Sequence, residues 1–104
     1  MGDDVEALVD RELRKGAARS QEYRLGLLDL LRYRVEGIPL PTKRFELGTA
    51  QADAYWAGSE HGVYLWREMK ENPENYLPYL ERAAALAKST RQAAIASDKK
   101  DYQK

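Results

Sequence analysis

Residues 50–66 read AQADAYWAGSEHGVYLW, with a small side chain at every fourth position: Ala50, Ala54, Gly58 and Gly62. On a helix such a row stays close to one face and drifts slowly around the axis. Tyr55, Trp56, Tyr64 and Trp66 crowd around it. Small side chains let another backbone approach closely, and the aromatics can grip what lies there. Each glycine inside a helix costs roughly 1 kcal/mol relative to alanine. The segment therefore predicts a helix whose packing offsets that cost. The spacing leaves open whether the packed object is a helix of the same chain, a second copy or another protein.

Working outward, Thr49 is placed to cap this helix, which should run to about Glu71 before Asn72-Pro73 ends it. Pro73 predicts a short turn, and Pro78 the start of the main fourth helix, with Tyr79, Leu80, Ala83, Ala84, Leu86 and Ala87 on its packing face. Upstream, Asp3 or Asp4 can cap a first helix carrying Val5, Leu8, Val9 and Leu13, ending near Gly16. Ser20 caps a second, which presents Leu27, Leu28, Leu31 and Val35 and stops at Gly37. The Ala17-Ala18 link also allows the first two helices to form one bent rod.

Ile38-Pro39-Leu40-Pro41 cannot continue a helix, because each residue before a proline is pushed to extended geometry. Residues 38–47 are expected to form an ordered extended connector, with Ile38, Leu40, Phe45 and Leu47 packed across the helices. The predicted architecture is all-α: a small bundle of about four helices, one domain over residues 1–96, and a polar, frayed tail over 97–104.

Composition agrees with a globular domain. Of 104 residues, 43% are apolar and 33% charged, a balance far from that of disordered chains. No apolar run is long enough to cross a bilayer. The acidic opening, Met1 to Glu6, does not read as a signal peptide, so the expected location is cytoplasmic. Cysteine is absent, which removes disulfides, thiol nucleophiles and zinc–thiolate sites. Net charge is zero, from 17 basic and 17 acidic residues, and offers no broad attraction to nucleic acid.

Catalytic signals are weak. His61 is the lone histidine, and its helical neighbours Ala57, Gly58, Tyr64 and Leu65 include no carboxylate. Glu68 and Glu71 form one Glu-x-x-Glu spacing, similar to that of all-helical nucleotide pyrophosphatases. The second-helix Glu-x-x-Asp of those enzymes has no counterpart beyond Asp98 and Asp101 in the polar tail. No phosphate-binding glycine loop and no nucleophile elbow occurs. The expectation is a non-enzyme with no catalytic residues, no cofactor and no metal.

Residues 53–66 resemble ribosome modulation factor-like small proteins in placing glycines and tryptophans on a short helix. The basic character and Cys-Pro-Tyr element of that family are absent, so the resemblance implies no shared role. The short, motif-free chain also suits an accessory protein of a bacteriophage or mobile element.

The third helix carries bulky groups on most sides, and a 104-residue bundle can barely enclose such a helix. The expected function is thus a non-enzymatic protein–protein interaction module, an adaptor or inhibitor acting through the helix at 49–71. Its partner would be another protein or a second copy in a homodimer. Tyr55, Trp56, Gly58, His61, Gly62, Trp66 and Arg67 are the expected contact residues, with Arg44 beside them. The alternative is a nucleic-acid-associated regulator using Arg11, Arg14, Lys15, Arg19, Arg24, Arg32 and Arg34 of the first two helices.

Overall fold

A computed structural model describes the backbone of residues 4–102 and the side chains of residues 4–89. Among them the chain is helical, with no strand. It forms α1 (Val5–Leu13), α2 (Gln21–Leu31), α3 (Ala50–Glu71) and α4 (Leu77–Tyr102). A π-helical turn, Arg32–Glu36, extends α2, and a short 3-10 turn, Pro73–Asn75, joins α3 to α4.

The boundaries follow from the caps. The Asp4 carboxylate accepts from Ala7 N at 2.7 Å, Ser20 Oγ from Tyr23 N at 3.2 Å, and Thr49 Oγ1 from Ala52 N at 3.1 Å. Each satisfies a backbone donor that the first helical turn leaves open. Gly37 ends the second helix in the left-handed region, at φ 71°, where a side chain would be strained. A Cβ there would also strike the Leu86 side chain of α4. α1 stops at Leu13, short of Gly16, and an irregular link leads to α2, so the two are separate helices.

α2 and α3 form the centre of the fold. Gly26 lies against the Tyr55–Ser59 backbone, and Leu30 against Gly62. Leu31 and Val35 continue into a core shared with Leu65 and Met69. The register advances in the same direction on both helices, so they run roughly parallel. Parallel neighbours need a return path along their length, which explains the long extended connector. α1 runs antiparallel to α2, with Asp10 on Arg24 and Glu6 on Arg32, and buries Val5, Leu8 and Val9. Tyr76 and Tyr79 bring the start of α4 into the same core.

The connector is anchored differently from expectation. Ile38, Leu40 and Leu47 are exposed, Leu47 to 81%, and do not pack across the helices. The attachment is made instead by Arg44 and Phe45. The Arg44 guanidinium donates to both Asp29 oxygens at 2.7 and 2.9 Å, and the Tyr55 hydroxyl donates to the same carboxylate at 2.6 Å. The Phe45 ring sits 5.8 Å from that of Tyr55. Arg44 is thus a tether between connector and core and does not frame an outer patch.

α4 continues as a helix to Tyr102, beyond the expected boundary at residue 96. The side chains of the expected tail, and residues 103–104 entirely, lie outside the described residues. No helix among the described residues is long and apolar enough to cross a membrane.

Candidate functional site

α3 has two working faces. Ala52, Tyr55, Gly58, Gly62, Leu65 and Met69 are buried, and they share one side of the helix. Of the row of small residues, Gly58 and Gly62 belong to this inner face, and their occupant is α2 of the same chain; Ala54 is half-buried and Ala50 is exposed. A Cβ on Gly58 would overlap the Tyr23 carbonyl, and one on Gly26 would overlap the Tyr55 carbonyl. A Cβ on Gly62 would lie 2.8 Å from that of Leu30. For Gly58, Gly62 and Tyr55, therefore, the expected contact with a partner gives way to contact with α2. Gly26, the reciprocal small residue, is absent from the sequence-based expectations; the signal that could have found it is a glycine inside a helix with no turn or cap to require it.

Trp56, Glu60, Val63, Tyr64 and Arg67 share the opposite face, following the helical period of 3.6 residues. Trp56 is 60% exposed and Tyr64 61%, with Val63 also open to solvent. Arg67 lies over the Tyr64 ring, 5.8 Å from its centroid. A shallow open trough lined by Asp53, Trp56, Ala57, Ser59, Glu60 and Val63 runs along this side. At its amino-terminal end, Trp56 also borders a deeper cleft of about 210 Å³ between α3 and the connector, walled by Pro41, Phe45, Leu47, Ala52 and Tyr55.

The other two expected contact residues sit on the flanks. Trp66 is half-buried against the core, with the Lys70 ammonium 5.8 Å from its ring. His61 is held between two helices. Its Nδ1 lies 2.6 Å from the Tyr23 hydroxyl, and its Nε2 lies 2.9 Å from Glu12 Oε2. With the imidazole neutral and Glu12 ionised, both bonds are satisfied when Nε2 carries the proton. Nε2–H then donates to Glu12, and Nδ1 accepts from Tyr23. Glu12 comes from α1, which the local helical spacing around His61 could not reveal. Burial alone would raise the Glu12 pKa, but hydrogen bonds from His61 and Lys15 outweigh it and hold the group below its ordinary value.

Hydroxyl, imidazole and carboxylate in line resemble a hydrolytic relay. Here each member belongs to a different helix, so the chain of bonds fastens α1, α2 and α3 together. The Arg19 guanidinium, 4.6 Å from the Tyr23 ring centroid, covers one side of the phenol. Asp29 is only 5% exposed and performs a similar task for the connector. Burial raises its pKa, the Arg44 and Tyr55 hydrogen bonds lower it by more, and the net position is below the ordinary aspartate range. Tyr55, buried and donating to that carboxylate, is pushed up to about 12. Among the described residues no three acidic or histidine side chains gather as a metal site would require.

The basic residues of the first two helices are largely engaged within the chain. Lys15 pairs with Glu12, Arg24 with Asp10 and Arg32 with Glu6, while Arg11 lies over Tyr76 and Arg34 over Tyr33.

Comparison with protein-family models, curated proteins and solved structures finds no match to this chain.

Proposed function

We propose that this chain is a small non-enzymatic protein–protein interaction module, an adaptor or inhibitor, whose contact surface, for another protein or for a second copy, is the outer face of α3. One observation carries the reading. The inner face already satisfies the packing needs of α3, yet the outer face holds Trp56 and Tyr64, each more than half exposed. Trp, Tyr and Arg dominate the energetics of protein interfaces, and large aromatics kept in water are a standing cost without a use. Val63 shares the trough with Trp56, and Leu47 adjoins Trp56 at the cleft, so exposed apolar surface extends from Trp56 along the helix and toward the connector.

The test is site-specific photo-crosslinking in the native cells. A benzophenone side chain at position 56 or 64 should give a discrete adduct. The same group at Glu81, an exposed position on α4, should not. Equal labelling at all three positions, or none at 56 and 64, would contradict the proposal.

A further inference from the structure

We infer that the occupant of the outer α3 face is a second copy of this chain, with the two α3 helices antiparallel about a two-fold axis passing between Val63 and Tyr64. The inference rests on the reading of that face as a contact surface and names its partner.

The charge pattern of the face carries the argument. Glu60 and Arg67 both point outward, two helical turns apart, on either side of Val63 and Tyr64. Neither makes an ion pair with another described residue of its own chain; the Arg67 guanidinium lies over the Tyr64 ring. A two-fold contact is self-complementary: if residue i meets j, then j meets i. Place the axis midway along the Val63–Tyr64 step, and Val63 faces the partner's Tyr64 while Glu60 faces the partner's Arg67. Both relations occur twice, so two apolar contacts at the centre are flanked by two opposite-charge pairs. Parallel pairing in register would instead set Glu60 on the partner's Glu60 and Arg67 on the partner's Arg67, which repels.

The rest of the face agrees. Asp53 and Glu60 line the trough in the amino-terminal half, and the carboxy-terminal half carries Arg67 and Lys70 together with the exposed Glu68 and Glu71. Antiparallel docking lays one half on the other and opposes the two helix dipoles. Trp56 lies about 11 Å along the helix from the axis. There it meets the partner's Lys70 and Glu71, whose methylene stems can cover the indole. A single helix pair is at the small end of stable interfaces, so association is expected to be reversible and concentration-dependent.

Sedimentation velocity of the full chain tests this with charge swaps. Wild type should associate. Glu60→Arg and Arg67→Glu should each weaken association at least about tenfold, because each places like charges together. The doubly swapped chain should recover. A one-to-one mixture of the two single variants should also associate, since one chain then presents two arginines at these positions and the other presents two glutamates. The substituted positions are exposed, so every variant should fold, which circular dichroism checks. A wild type that stays monomeric up to roughly 1 mM overturns the inference. So do single variants that associate like wild type, or a mixture that remains monomeric. A monomeric wild type that still gives an adduct of another mass at position 56 removes the second copy and leaves the contact surface intact. A monomer with no adduct removes both.

Discussion

Gly26 of α2 and Gly58 of α3 are reciprocal: each leaves room for a backbone carbonyl of the other helix, Tyr55 for Gly26 and Tyr23 for Gly58. This close approach is therefore sealed from both sides, and neither position has space for a methyl group. Gly26→Ala or Gly58→Ala should cost about 3 kcal/mol or more, because rigid backbone has to move. The gain in helix propensity, roughly 1 kcal/mol, does not offset that. Gly16, with nothing near its vacant Cβ position, is the control, and its alanine variant should stay within about 0.5 kcal/mol of wild type. Urea unfolding measures all three.

Arg44 tethers the connector to a buried carboxylate. Arg44→Met leaves Asp29 with the Tyr55 hydroxyl as its remaining hydrogen-bond donor among the described residues, and should destabilise by about 1–3 kcal/mol. Hydrogen exchange should rise selectively over residues 38–47. Unchanged exchange there would show that Phe45 and the prolines hold the segment unaided.

Stability should fall in acid. Asp29 and Glu12 both have folded pKa values below their ordinary ones, so each binds a proton more weakly in the folded state. Their contribution is complete above the ordinary carboxylate range and is lost as pH drops through that range toward the depressed values. Urea midpoints should therefore decline on acidification. Asp29→Asn should flatten the decline, and should also bring the Tyr55 phenol down from about 12, read by ultraviolet titration. An undiminished slope would place the acid sensitivity elsewhere.

The Tyr23–His61–Glu12 chain fixes a tautomer. Nitrogen NMR of the neutral ring should find the proton on Nε2, and Tyr23→Phe should cost about 1 kcal/mol by stranding Nδ1. A proton on Nδ1 would reverse the donor assignments given above.

Much of the fold was legible in local chemistry. Ser20, Thr49, Gly37 and Asn72-Pro73 mark helix ends through caps and backbone limits that act within a few residues, and the boundaries follow them. Within the row of small residues on α3, Gly58 and Gly62 correctly announced a close approach, whereas Ala50 is exposed and takes no part in it. The row could not name the occupant, because a helical wheel gives a face and not a neighbour; the signal for α2 was Gly26, a glycine with no local reason to be there. Glu12 and His61 are 49 residues apart, and Asp29 and Arg44 are joined across a turn of chain, so no local pattern pairs them. The apolar connector misled because composition reports what a segment could bury. The geometry of a return path beside two parallel helices leaves Ile38, Leu40 and Leu47 facing water. At the site, the aromatic helix was visible, but its division into an inner and an outer face required the packed structure.

The most direct measurement is the equilibrium unfolding of the Trp56→Ser/Tyr64→Ser double variant, made at concentrations where the chain is monomeric. The outer face of α3 takes no part in the core, so the free energy should stay within about 1 kcal/mol of wild type, with α-helical content retained. A loss of several kcal/mol would mean that these aromatics hold the fold together, and nothing on that face would then be left for a partner.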